Sequence, residues 1–456
     1  MSTGLPDSAP PRHTAPRFPQ LPTMYYLPGL TTAFALATAL AAQAQIIPAP
    51  PQAQPVAITG ATAHLGTGTA IEDAVVTFAD GKITYAGAAA AAPDLAGHQV
   101  IDAGGKHVYP GFIAMDTRLG LVEIDAVRAT DDIEEIGYFN PNARALIAFN
   151  TDSEILPTVR KYGVLIAQVT PDGNGLAGQS SAVALDGWNW EDAVVGADEG
   201  IHLHWPSAYR QTGWWAEPGG MEKNEDYAED VGKLERYFDE ARAYANAGEG
   251  ADVEDNPRFR SMRPLFAREK TLYIHAEYAR EIEDALAFAT AYDVKPVLVD
   301  ARDAFLVKEL LAAEGVSVVC GPVHALPERG DDLVSQPFET PAELHAAGVP
   351  VAFSLSGSWE QRRLPYHAGH AVGFGMPYEE AVKALTLTPA TILGIAERVG
   401  SLEAGKDATL FLSGGDALDM RGNLVERAFI AGRDVELASR QTQLAEKYRE
   451  KYRRGE

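Results

Sequence analysis

Eleven histidines and a single cysteine are the side chains of this 456-residue chain best suited to bind a metal or move protons near neutral pH. His202-Leu203-His204 has the spacing that puts two imidazoles on one face of a strand, the geometry of a ligand pair. No third ligand stands beside it, and a tryptophan-rich stretch adjoins it, so the sequence favours packing over metal for this pair. Cys320 has no second cysteine to join, which excludes an intrachain disulfide and any cysteine-rich metal site.

The elements that must position such groups follow from the hydrophobic pattern. Residues 56–109 read as strands, with Asp80-Gly81 between alternating runs as a hairpin signal. A second β-rich piece, 406–413 and 425–437, precedes a charged helix over 439–454. Two short β fragments bracketing a long middle predict one composite β-sandwich, 56–109 with 400–437, and an inserted domain over 110–399. The last residues, 438–456, form the C-terminal helix.

The middle alternates strand and helix. TLYIHAE (271–277), PVLVDA (296–301), VSVVCGP (316–322) and PVAFSLS (350–356) are continuous apolar runs, and YAREIEDALAFATAY carries Ile282, Leu286 and Ala289 at helical spacing. A further helix is predicted to open at Thr340-Pro341, with Glu343 as its capping partner, and to close at Gly348. Apolar strands alternating with helices imply a parallel sheet covered on both faces, and the span suits the roughly 250 residues of a closed (β/α)8 TIM barrel. An open doubly wound α/β sheet is the alternative. Five of the six tryptophans, Trp188, Trp190, Trp205, Trp214 and Trp215, interrupt the rhythm before an acidic helix-like run over 224–246. Such clusters are more often core or subunit interface than ligand box, a lid over the barrel mouth being the other reading.

Composition narrows the function classes. Hydrophobic residues make up 46% and charged residues 22%, ordinary globular usage, while the net charge of -25 disfavours nucleic acid and anionic membrane surfaces. Residues 27–44, LPGLTTAFALATALAAQA, form an uncharged apolar run ending in Ala42-Gln43-Ala44, with Arg12 and Arg17 upstream. That is the pattern of a signal peptide over 1–44, with translation starting at Met1 or Met24. A Pro-rich linker over 45–55 follows. The expectation is an exported protein, periplasmic or secreted, with no membrane span in its mature chain.

VYPGFIAMDTRLGL (108–121) resembles the first barrel strand of the amidohydrolase superfamily, which ends in P-G-[FLM]-I-D-x-H-x-H. AVKALTLTPATILGIAERVGSLEAGKDATLFL (381–412) closely matches that family's return from the last barrel helix into its small β domain. LYIHAEYAREIEDAL (272–286) and LPYHAGHAVGFGM (364–376) are similar to its imidazolonepropionase-like branch. The resemblance implies a metal-dependent hydrolase fold: a TIM barrel plus the composite β-sandwich. It also implies one or two divalent metals at the strand ends, held by an H-x-H pair, a carboxylated lysine or glutamate, two further histidines and an aspartate.

Carried over residue by residue, the H-x-H positions are Asp116 and Arg118, which as neighbours two apart on a strand would point the same way. The lysine position falls near Ala184. His275 matches the next histidine, Asp300 occupies the following one, and Ser356 stands at the catalytic aspartate position. Guanidinium has no electron pair for a cation, so Arg118 cannot be a ligand. The tally decides against a binuclear centre. Asp116, His275 and Asp300 could still hold one metal, zinc first. The favoured alternative puts Arg118 in the place of the metal, its charge balanced by buried Asp116 and Asp300, with no cofactor. His324, just after a strand end, is a second-tier pocket residue, and His367 and His370, i and i+3 on a helix, are read as packing.

Two functions result. The first is a hydrolase of carbon–nitrogen bonds other than peptide bonds, with a divergent or mononuclear metal site at the barrel mouth. The second is a non-catalytic amidohydrolase-fold protein that binds a ligand or partners an active relative. Expected partners are a small-molecule substrate or ligand, with a second copy or a related amidohydrolase as the macromolecular ones.

Overall fold

A computed structural model describes residues 47–214, 216–248, 254–330 and 332–453. The expected signal segment lies outside the described residues. Both ends of the chain enter one eight-stranded sheet. From the N-terminal side come Val56–His64, Ala70–Ala79, Lys82–Ala88, Gln99–Asp102 and His107–Pro110; from the C-terminal side come Leu410–Ser413, Val425–Ile430 and Arg433–Val435. The join is the antiparallel pairing of His107–Pro110 with Leu410–Ser413, Phe411 opposite Tyr109 and Leu412 opposite Val108. Asp80 and Gly81, at φ 51° and 77°, make the left-handed two-residue turn that their sequence predicts. The Pro-rich segment lies against this sheet rather than hanging free: the Gln52 amide donates to the Phe78 carbonyl and its oxygen accepts from Gly81 N–H.

Strand alternation divides the sheet's side chains between two cores. Val108, Leu410, Leu412 and Phe429 join Ile58, Phe78 and Ile83 in the sheet's own core. Tyr109 and Phe411, one residue out of step with them, face the barrel, where Phe411 packs on Tyr109 at 5.3 Å and on Phe112 at 4.9 Å between ring centres.

The barrel is closed by eight strands that follow one another around the wall in chain order. They are Phe112–Thr117, Val164–Val169, Gly175–Ala184, Val194–His204, Thr271–His275, Lys295–Val299, Ser317–Cys320 and Val351–Ser356. Seven run parallel, as the apolar runs predicted. The third, Gly175–Ala184, is antiparallel to both neighbours, which departs from a regular (β/α)8 repeat. Only residues 170–174 link it to the second strand, and a parallel crossover needs a dozen residues or more, so a hairpin is the one connection that fits. Ile113, Met115, Ile166, Tyr273, Val297, Val299 and Val319 fill the interior together with Ile392, Leu393 and Ile395 from the segment after the last barrel strand.

Two local expectations change. The helix predicted to open at Thr340 spans Gln336–Ala346, and the Thr340 hydroxyl bonds back to the Gln336 carbonyl at 2.8 Å instead of capping. Pro337 in the first turn, where its missing N–H costs nothing, sets the start. The tryptophans do not form one core cluster: Trp205 is buried, with its N–H donating to the Tyr227 hydroxyl at 3.0 Å, whereas Trp188 and Trp214 are exposed. Trp215 lies outside the described residues. The acidic run forms the helix Tyr227–Ala247. Among the described residues no helix is long and apolar enough to cross a membrane.

Candidate metal centre

The parallel strands deliver their C-terminal ends to one mouth, where a barrel gathers groups distant in sequence. Asp116, Asp300 and Ser356, at or just after the ends of the first, sixth and eighth strands, all have left-handed backbones, φ 48°, 56° and 48°. Such conformations cost side-chain-bearing residues free energy and persist where the surroundings enforce them. At Asp116 the ladder is interrupted between Ala114 and Thr117. Its N–H is met instead by Gln168 Oε1 at 3.0 Å.

Asp116, His202 and His275 place their ligand atoms within 4.8 Å of one another, the metal-competent group found among the described residues. His275 Nε2 lies 2.9 Å from His202 Nδ1 and 4.0 Å from Asp116 Oδ1. His204 stacks on His275 with ring centres 4.2 Å apart, and its Nε2 is buried with no hydrogen-bond partner, 3.6 Å from Asp172 Oδ1.

This geometry corrects the sequence reading in three places. The His202-Leu203-His204 pair, read there as packing, ends the fourth barrel strand, and His202 replaces Asp300 in the tight ligand group. Asp300 stands beside that group, close enough for its carboxyl to feel the charge of Asp116. Gly321 leaves room for it, since a Cβ there would lie 2.6 Å from Asp300 Oδ1. Ala184, near which the lysine position was expected, pairs with Ile166 at the end of the reversed third strand away from the mouth.

Arg118 does not take the place of a metal. The first strand ends at Thr117, and beyond its irregular end the guanidinium reaches Asp172 at the tip of the 170–174 hairpin, not Asp116 or Asp300. Asp172 was missed, although Asp172-Gly173 in a five-residue link between apolar runs is a hairpin signal. With the Arg118 side chain 42% exposed and Asp172 29%, Arg118→Ala is expected to change stability by no more than ~1 kcal/mol in urea unfolding. A buried Arg118 between two carboxylates would have cost ~3–5 kcal/mol. Ser356 contributes through its backbone, its carbonyl accepting the Arg118 N–H at 3.2 Å.

Electrostatics favour a cation here. Burial pushes the Asp116 carboxyl up to about 7, Asp172 adding to the shift and Arg118 opposing it. Burial and then the charge of Asp116 raise Asp300 to about 7. The imidazoles move the other way: burial lowers His275 to about 4, His204 to about 3 with His275 assisting, and His202 well below its ordinary range. Neutral imidazoles beside carboxylates whose nearby guanidinium groups, Arg118 and Arg302, only partly offset the effect of burial are a donor set that suits a divalent ion. The orphaned His204 Nε2 is a further unsatisfied donor or acceptor at the same place. The residues present therefore fit one divalent metal.

His324, His367 and His370 pack against one another. His324 meets His367 and His370 at 4.3 and 4.7 Å between ring centres, and His367 Nδ1 accepts the Val323 N–H at 3.1 Å. His324 is not among the residues lining the cavity of about 590 Å³ that opens beside Asp300; Glu277, Arg302, Phe305, Leu306 and Cys320 are. Burial raises the Cys320 thiol to about 12, too high for a nucleophile at neutral pH.

A closed barrel with a His and Asp group at the mouth, joined to a sheet built from both chain ends, defines the class of TIM-barrel metal-dependent hydrolase folds. Residues 266–434 match the profile of the amidohydrolase family. An imidazolonepropionase of Methylobacterium sp. (strain 4-46) is 33% identical over 107 residues, 22% of this chain and 27% of that relative, so the match spans about a quarter of the relative's length. An amidohydrolase from Thermotoga maritima MSB8 superposes with a TM-score of 0.70 at 23% identity, covering 84% of this chain and 99% of that one. Molinate hydrolase has a TM-score of 0.53 at 15% identity over 85% of this chain and 95% of its own. Over 266–434 the chain is thus similar to the amidohydrolase family, and with the solved structures it shares their fold.

Proposed function

We propose that this protein is a hydrolase of carbon–nitrogen bonds other than peptide bonds, working with a single divalent cation, zinc, held by Asp116, His202 and His275. The observation that carries the reading is the convergence of these three groups at the barrel mouth while Arg118 is engaged by Asp172. Two imidazoles and a carboxylate suit zinc. When bound, the ion supplies Lewis acidity that polarises a carbonyl and acidifies water. Asp300, with a carboxyl held up to about 7, is matched to take a proton and return it to a leaving nitrogen. The cavity beside it, with Phe305 and Leu306 in its wall, would hold the substrate. The sheet shared by the chain ends is read as the family's small β-sandwich domain.

The test is metal analysis of protein purified without chelator, joined to a screen for amine or ammonia release from N-acyl amino acids and cyclic amides. About one zinc per chain is expected, with hydrolysis that His275→Ala abolishes. The replacement of the family's first histidine pair by Asp116 and Arg118 favours the second reading, a non-catalytic binding protein or partner of an active relative. A metal-free, inert protein would establish that one instead.

Export is also proposed, on the apolar run and small-residue site ending at Ala44. Mass spectrometry of the native protein should find the mature chain beginning just after Ala44; an intact apolar run would refute it.

A further inference from the structure

Deeper in the barrel than the metal group, Gln168, Ser180, Glu199 and Tyr273 form a hydrogen-bond network whose donor count bears on His202. Gln168 is oriented by its Oε1, which takes the Asp116 N–H at 3.0 Å. Its two amide protons therefore face Glu199 Oε1 at 2.9 Å and Ser180 Oγ at 3.0 Å. The Tyr273 hydroxyl donates to Glu199 Oε2 at 2.7 Å. Ser180 has one hydroxyl proton, and its shortest contact is Glu199 Oε1 at 2.5 Å. Its third neighbour is His202 Nε2 at 2.9 Å. Burial raises the Glu199 carboxyl, while hydrogen bonds from Ser180, Tyr273 and Gln168 and the charge of Lys270 act to keep it ionised. With Glu199 as a carboxylate, the Ser180 hydroxyl that has given it its proton can only accept, so His202 donates from Nε2 and leaves Nδ1 with a free electron pair. Gln168 Nε2 is also 3.5 Å from His202 Nε2, but both of its protons already have nearer acceptors.

We infer that Glu199 is a positioning residue: acting through Ser180, it holds His202 as the Nε2–H tautomer and so keeps Nδ1 bare on the side that faces His275 and Asp116. The role rests on the reading of Asp116, His202 and His275 as a metal group. Metal-ligating histidines commonly have their second nitrogen fixed by a carboxylate or carbonyl; here a serine hydroxyl stands between carboxylate and ring. The reversed third strand makes this arrangement, because it carries Ser180 into the wall beside His202. Gly200 supports it as well, since a Cβ there would overlap the Tyr273 ring that holds Glu199.

The test uses the full chain, chelator-stripped and labelled with ¹⁵N-histidine, with the His202 resonances assigned from the spectrum lost in His202→Gln. Long-range ¹H–¹⁵N correlation should show a protonated Nε2 and an unprotonated Nδ1 at His202. In Glu199→Gln the amide can donate to Ser180 and free its hydroxyl to donate to His202, so the tautomer should shift. Zn²⁺ affinity, read by competition with a chromophoric chelator, should then fall ~10–100-fold. Ser180→Ala should weaken Zn²⁺ similarly, whereas Ser180→Thr, which retains a hydroxyl, should restore both signatures; near-UV circular dichroism checks that the variants fold. An Nδ1-protonated His202 in the unsubstituted protein would overturn the inference, as would unchanged Zn²⁺ affinity in folded Glu199→Gln and Ser180→Ala. An Nε2–H His202 in a protein that binds no Zn²⁺ would overturn the metal reading, and with it the purpose given to Glu199, while leaving the tautomer in place.

Discussion

Zn²⁺ added to chelator-stripped protein at pH 8 is expected to stabilise it by about 2.7 kcal/mol at a free concentration one hundred times the dissociation constant, and by far less at pH 5. The sign follows from the carboxylates. Asp116 and Asp300 are raised to about 7, so in the metal-free protein they contribute stability in their protonated form that is lost as pH rises from about 4 through about 7. A cation must displace those protons below pH 7 and need not above it. The histidines work in the opposite direction. His275 and His204, lowered to about 4 and about 3, contribute stability present above their ordinary range near 6.5 and lost as pH falls through those values, and they are already neutral at pH 5. The carboxylates therefore set the pH window, and the gap between zinc-bound and zinc-free melting temperatures should open between pH 5 and 8. His202→Ala or His275→Ala should close it at every pH, and His324→Ala should not. A zinc effect that is absent, or equal at pH 5 and 8, would exclude this site.

Phe411→Ala should cost about 3–5 kcal/mol in urea unfolding, because it empties a fully buried aromatic site where the surroundings cannot collapse. The ring lies between Tyr109 and Phe112, and it also closes over Gly163, where an added Cβ would come 2.6 Å from the ring. Leu410 and Leu412, its neighbours on the strand, face the other core. A loss well below 2 kcal/mol would mean that the barrel and the end sheet are not packed through this ring. The same cost without any change in Zn²⁺ affinity would show that the metal group is held by the barrel strands alone.

Much of this architecture was legible in the chain. Period-2 patterning with Asp80-Gly81 specified the hairpin, and apolar runs alternating with helical periodicity specified barrel strands, because each signal depends only on near neighbours in sequence. The resemblance carried by 108–121 and 272–286 located Asp116 and His275 at strand ends, the run 296–301 placed Asp300 at another, and the structure brings all three to one mouth. The composition of the candidate metal group was not legible. His202 had no third ligand near it in sequence, since its partners Asp116 and His275 lie 86 and 73 residues away along the chain. Only closure of the barrel joins them. Asp172 entered because the five-residue link before Gly175 cannot make a parallel crossover and must turn back at the mouth. Arg118 turned to that hairpin because the strand's alternation breaks at Asp116, where the backbone is left-handed. Sequence thus determined which elements form and which strand ends carry ionisable groups; tertiary structure decided which of those groups meet, since side-chain direction at an irregular strand end is set by neighbours that local pattern does not contain.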